Sequence, residues 1–280
     1  MTQVTSRELE TLLQLACFHY LTSVQLAGFL FDGTAATAST RSTGTRRVLA
    51  TLARRNLITA TPRLIGGPGG GSARRAYLIT PNGYEWLASH DRRAGPPPAR
   101  RGTIFVEHAL ATAEVALAVR RGARAQPGHH LVSWESDWEI ATALPDVPVR
   151  PDARLVYATP ECEVDAFIEV DLSTERPVVF ARKIARYLAV YRSSAWRTRL
   201  AIWPVVLVVT PSAVRAVSLR RTTEAVLAGT DNDTRGGTEF RFTSLQHLQD
   251  LGLAGEIWQV AGRIGLHPLL DVTPVVAVAG

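Results

Sequence analysis

The amino-acid sequence predicts an α/β chain, α+β taken as a whole, built in two parts. Three observations predict it. Charge divides unevenly: residues 1–101 carry 13 arginines against 5 acids, whereas the remainder carries 18 basic and 20 acidic residues. A proline- and arginine-rich run, Arg92–Arg101, lies where the balance changes, and its prolines favour an extended spacer. Before that run apolar residues recur mainly at helical spacing; after it, helices alternate with short β-branched runs. The 280 residues, 46% hydrophobic and 20% charged, suffice for two modest cores. The boundaries expected are 1–91, 92–102 for the linker, and 103–280.

In the first part Ser6, followed by Arg-Glu-Leu-Glu, offers an N-cap with acids in the first turn. Leu9, Leu12, Leu13, Ala16 and Cys17 continue that helix. Thr22 or Ser23 caps a second helix, Val24–Phe31, and a third is expected from about Ser39 to Arg55, with Val48, Leu49 and Leu52 inward. Asn56-Leu57-Ile58 leads into a strand whose partner is Ala76–Thr80. The Gly66–Ser72 run between them reads as a hairpin tip. Thr80-Pro81-Asn82-Gly83 then opens a further helix. Three helices and a basic hairpin make the order of a winged helix-turn-helix, in which the third helix enters the major groove of double-stranded DNA. Arg63, Arg74 and Arg75 flank the tip and are candidates for phosphate contacts. Arg41, Thr45, Arg46 and Arg47 are the candidates for base edges. A winged helix used for protein contacts is the alternative, disfavoured by the arginine surplus.

In the second part an Ala-rich helix is expected from Thr103 to about Arg121, then strands at Leu131–Trp134, Arg154–Tyr157 and Asp165–Asp171. A helix over Pro177–Ser194 and a valine-rich strand, Val205–Thr210, follow; near-continuous valine implies burial on both faces. A helix over Ser212–Leu227, a strand near Phe240–Phe242 and a helix near Leu245–Leu251 extend the domain.

The chemistry concentrates between Val149 and Trp196. Side chains alternate along a strand, so Phe167, Glu169 and Asp171 share one face and Ala166, Ile168 and Val170 the other. Two carboxylates on one face of an apolar strand are costly unless compensated. A divalent cation compensates, and oxygen ligands suit Mg²⁺ or Mn²⁺. The next helix holds Lys183, the sole lysine among 31 basic residues. Where arginine serves everywhere else, a retained lysine points to a need for its compact ammonium; chance survival of a surface lysine is the alternative. Lys183, Tyr187 and Tyr191 recur at four-residue steps on one helix face. Such a stripe is more often core than a platform for a DNA strand.

Pro151-Asp152, then Glu169-x-Asp171, then Lys183 on the following helix resembles the PD-(D/E)xK nuclease superfamily. That resemblance implies a restriction-endonuclease-like αβββαβ domain, and the helix–three strands–helix–strand order above agrees with it. It also implies that Asp152 and Glu169 hold one Mg²⁺ or Mn²⁺, that Lys183 assists the attacking water or steadies developing charge, and that Asp171 completes the metal shell or anchors Lys183. The sequence departs from the superfamily in having Asp171 where lysine is usual. Glu114 stands where some of those enzymes add an acid from their first helix. More narrowly, Arg150-Pro151-Asp152, Phe167–Asp171, Thr174, Lys183, Tyr187, Tyr191, Trp196 and Trp203-Pro204 look like the replication-relaxation family of bacterial plasmids and integrative elements. The resemblance covers most of residues 5–210.

What it implies is a DNA-binding protein of a mobile element with a metal-dependent endonuclease or nickase domain, acting in plasmid replication, relaxation or mobilisation. A catalytically inactive DNA-binding accessory protein and a winged-helix transcription regulator are the alternatives. Partners implied are double-stranded DNA and other replication or transfer proteins of the element; a homodimer is left open. Cys17 and Cys162 lack metal-site spacing and imply no disulfide framework. The first residues lack the pattern of a signal peptide, and Ala201–Thr210, the longest apolar stretch, is too short to span a bilayer. A cytoplasmic, nucleoid- or plasmid-associated location is therefore expected.

Overall fold

The computed structural model describes residues 4–62, 75–90, 92, 94–95, 97, 102–145, 147–231 and 237–270. Helices and strands are mixed throughout, and the chain falls into two compact units, Met1–Leu117 and Ala118–Gly280. No described helix is long and apolar enough to cross a membrane.

Unit 1 contains α1 (Ser6–Phe18), β1 (Leu21–Thr22), α2 (Ser23–Leu30), α3 (Ala38–Arg54), β2 (Ile58–Ala60), β3 (Ala76–Ile79), α4 (Pro81–Ser89) and the start of α5 (Thr103–Ala125). The cap of α1 is Thr5, not Ser6. Thr5 and Glu8 form a reciprocal capping box, with the Thr5 amide donating to Glu8 Oε2 at 2.8 Å; the box needs Glu or Gln three residues on, which Thr5 has and Ser6 lacks. Thr22 and Gln25 make the same box at α2, and Thr80 caps α4 with Pro81 in its first turn. The three strands pair antiparallel in the order β1-β3-β2; the two-residue β1 is an addition to what periodicity predicted. Leu12, Leu15, Leu26, Leu49, Leu52 and Leu87 are buried between these elements. Val106 and Ala109, from the first turns of α5, cluster with Tyr20 and Ala76. The Gly66–Ser72 tip, Arg63, Arg74 and most of the Pro/Arg run lie outside the described residues.

Unit 2 is a six-stranded sheet in the order β4-β5-β6-β7-β8-β9. Its strands are β4 (His130–Ser136), β5 (Ala153–Ala158), β6 (Glu163–Val170), β7 (Val205–Thr210), β8 (Phe240–Ser244) and β9 (Gln259–Val260). A short α6 (Asp137–Ala143) follows β4; α7 (Pro177–Ser193) joins β6 to β7, α8 (Ala213–Ala228) joins β7 to β8, and α9 (Leu245–Leu251) follows β8. β5 runs antiparallel to both of its neighbours, β4 and β6, whereas β6, β7 and β8 run parallel, as helical crossovers require. All six residues of β7 are buried. Phe180, Ile184, Tyr187 and Leu188 of α7 and Ala216, Leu219 and Leu227 of α8 enclose one core with Phe167, Val206, Val208, Phe240 and Phe242. α6 and β9 are additions to what the sequence predicted; α6 opens on a Ser136–Glu139 capping box, a signal that hydrophobic periodicity passes over.

Candidate functional site

The geometry of unit 2 converges on the C-terminal end of β6. Ala153 stands opposite Ile168 at the end of the antiparallel ladder, and Asp152, the residue before it, lies near enough to Glu169 for its charge to act on that carboxyl. The Asp152 amide donates to the Ile168 carbonyl at 2.9 Å, and Asp152 Oδ2 accepts from the Val170 amide at 2.7 Å. The Asp152 side chain thus takes a place that a backbone carbonyl holds elsewhere in the ladder, which fixes the carboxylate beside Glu169.

Glu169 is only 3% exposed, and each of its oxygens has a partner on α7. Tyr187 donates its hydroxyl to Oε1 at 2.5 Å, and the Lys183 ammonium donates to Oε2 at 2.8 Å. Helix geometry brings both donors to one carboxylate, because residues four apart lie one above the other on a helix face. Burial, reinforced by the neighbouring Asp152 charge, outweighs Lys183 and Tyr187 and pushes the Glu169 carboxyl up to about 7. Burial works against the Lys183 ammonium, but Glu169, Asp152 and Glu175 together hold its pKa above the ordinary value. Lys183 is therefore a fixed cation and not a base, as expected for a lysine paired with a carboxylate. Burial, followed by the Glu169 charge, raises the Tyr187 hydroxyl well above its usual range, so Tyr187 stays protonated and donates its hydrogen bond to Glu169.

Asp171 is not part of this group in the way expected. Its oxygens accept from Arg215 Nε at 2.8 Å and Nη2 at 2.9 Å, and the Ser173 amide adds a third bond at 2.8 Å. Arg215 also donates to the Glu175 carbonyl at 2.7 Å. A two-pronged guanidinium contact satisfies a buried carboxylate better than a single ammonium, and Asp171 anchors Arg215 where Lys183 was expected. Glu175 is the second acid near Lys183, at 4.0 Å. Arg215 was missed in the sequence. Its signal was topological: parallel β6 and β7 end at one edge, and α8 begins at that edge.

Tyr191 is half-buried and packs against the core, with Trp196 and Trp203 at ring separations of 5.8 and 5.9 Å. Glu114 belongs to unit 1, where its carboxylate accepts from Gln25 Nε2 at 2.9 Å; the side chain that caps α2 claims it. On α3, Arg46 and Arg47 are exposed and Arg41 is half-buried. Thr45 corrects the expectation for base edges: it is 1% exposed and its hydroxyl donates to the Arg41 carbonyl, so it faces the core. Arg75 is exposed beside β3.

A family model described as replication-relaxation matches residues 12–206 of this chain. No curated protein and no solved structure matches it.

Proposed function

Because the chain belongs to the replication-relaxation family, associated with plasmid and mobile-element replication or relaxation, we propose that it binds double-stranded DNA through unit 1 and cleaves or nicks phosphodiester bonds in unit 2. The observation that carries this reading is the meeting of Asp152, Glu169 and Lys183 at the end of β6, with Glu169 at about 7. A strongly perturbed carboxyl beside a specific charge partner is a mark of functional sites.

The residues fit a magnesium or manganese ion, since such a cation is commonly held by one or two carboxylates, with waters and substrate phosphate completing its oxygen shell. Among the described residues no three or more His, Cys, Asp or Glu side chains gather to cage a metal. Asp152 and Glu169 would be the protein's ligands, and Asp171, held by Arg215, would not. When bound, the cation supplies charge neutralisation at the phosphate and a more acidic water. Lys183 keeps a positive charge where negative charge grows on the phosphate, and its geometry is set in advance by Glu169. Tyr187 fixes the orientation of Glu169, and the Val170 amide fixes that of Asp152.

In unit 1 the order of three helices and a hairpin supports a winged helix-turn-helix. Arg46 and Arg47 project from the third helix, and Arg75 stands at the foot of the wing. The second reading is a DNA-binding accessory protein without cleavage. Its support is that both Glu169 oxygens are already engaged by Tyr187 and Lys183, a network that also satisfies a purely structural carboxylate.

Supercoiled plasmid incubated with the protein and Mg²⁺ or Mn²⁺ separates the two. Nicked or linear product is expected from the parent and not from Asp152→Asn, Glu169→Gln or Lys183→Met, with duplex affinity retained in all three. No product in either metal, or undiminished product from a double Asp152→Asn, Glu169→Gln variant, would sink the cleavage reading.

A further inference from the structure

We infer that the outward face of α7 and the turn after it form a second nucleic-acid contact, a track for a phosphodiester backbone that passes Lys183 and Glu169. The inference rests on the cleavage reading only for what the strand is presented to; binding along the track does not require cleavage.

The first observation is charge. From Arg176 to Thr223 the chain carries ten basic residues and no acidic one. Lys183, Arg215 and Arg220 pair with Glu169, Asp171 and Glu224 from outside that stretch. Arg176, Arg182, Arg186, Arg192, Arg197 and Arg199, on α7 and the turn after it, account for six of the rest. The near-neutral balance of the C-terminal part conceals this. Surfaces of soluble domains ordinarily intersperse both signs, and a face of one sign repels itself unless a polyanion covers it.

The second observation is placement. On α7 the exposed positions include Arg182, Ala185, Arg186, Ala189 and Arg192, so arginines alternate with alanines too small to hold a partner's backbone away. Arg182 and Arg186 flank Lys183, whose side chain is 35% exposed at the mouth of the site. Arg176, Arg182, Arg186 and Arg199 make no ion pair among the described residues. Arg192 reaches only Asp231, at 3.8 Å between two half-exposed side chains, a contact of the kind that contributes little.

The third observation is rigidity. The turn Ala195–Thr198 is pinned by Trp196, which is 5% exposed and donates its indole N–H to the Tyr191 carbonyl at 3.1 Å. Arg197 lies over the Trp196 ring, 5.3 Å from its centroid, and Arg199 follows it, exposed. Guanidinium groups on a fixed scaffold suit phosphate oxygens, which they bind in a planar, two-pronged manner.

The test is the salt dependence of binding by the full chain. Fluorescence anisotropy with a labelled DNA duplex over a range of salt concentrations gives the slope of log affinity against log salt, about 0.9 per phosphate neutralised. Arg182→Gln, Arg186→Gln and Arg199→Gln together should make that slope shallower by about two to three, with an unchanged melting temperature. Each single substitution should remove about one third of the change, which keeps the test open if the triple variant folds poorly. An unchanged slope and affinity would overturn the inference. So would loss of binding to phosphatidylserine vesicles with DNA binding intact, which would assign the face to anionic lipid. A reduced slope in a protein that cuts no plasmid leaves the track standing and removes only the cleavage reading; an unchanged slope in a protein that does cut removes only the track.

Discussion

Glu169→Gln tests the balance of forces at the site, because burial and ion pairing make opposite demands on the same carboxyl. Glutamine keeps the size and, with its carbonyl oxygen, one acceptor for Tyr187 or Lys183, but never ionises. In the folded chain the Glu169 carboxyl is raised from 4.5 to about 7. A carboxyl raised on folding binds its proton more tightly in the native state. Its stability contribution is therefore complete below pH 4.5, is lost as pH rises through 7, and stays lost above. The full difference corresponds to about 3 kcal/mol, at 1.36 kcal/mol per pH unit, part of it already lost by pH 5. The assay is urea denaturation of parent and variant between pH 5 and 8, followed by tryptophan fluorescence. Five of the six tryptophans, all but Trp86, lie in unit 2, so the signal reports mainly on that unit. The variant should gain on the parent by about 2 kcal/mol across this range. A gap that is constant, or that moves the other way, would mean that Lys183 outweighs burial and keeps Glu169 fully ionised, and the argument from a perturbed carboxyl would fail.

Tyr187→Phe removes a donor from a buried carboxylate and should destabilise unit 2 by about 1–3 kcal/mol, more at pH 8 than at pH 5, since the ionised acceptor loses most; denaturation at the two pH values checks it. Arg215→Met leaves Asp171 buried without its charge partner and should cost about 3–5 kcal/mol, much of it recovered in Arg215→Met with Asp171→Asn; a double-mutant cycle measures the coupling. Thr45→Val should leave duplex affinity unchanged because the side chain is buried, whereas Arg46→Ala with Arg47→Ala should weaken it with a stability change within about 0.5 kcal/mol; titration of labelled duplex distinguishes them. Metal affinity at Asp152 and Glu169 should rise with pH through about 7, as the Glu169 proton leaves; calorimetric titration with Mn²⁺ at pH 6 and 8 reads this directly.

Much of this protein was legible in the sequence alone. Thr80-Pro81 announced α4, the valines of Val205–Thr210 announced a strand buried on both faces, and the period of two along Phe167–Glu169 put Glu169 on the side that α7 covers. These features depend on caps, turns and alternation, which neighbouring residues decide. Lys183 at 2.8 Å from Glu169 was legible for the same reason: a strand, a short turn and a helix bring the two together within one supersecondary unit.

What only the tertiary structure decided involves partners distant in sequence or a choice between equivalent helix faces. Arg215 claims Asp171 across 44 residues, because the parallel order β6-β7 brings the start of α8 to the end of β6. Gln25 claims Glu114 across 89 residues, and no local pattern names that pair. Thr45 stands between Arg41 and Arg46 on the same helix, and only the packing of α3 turns it inward. Local propensity sets which elements form; strand order and helix rotation, selected by burial of the whole core, set which charges meet.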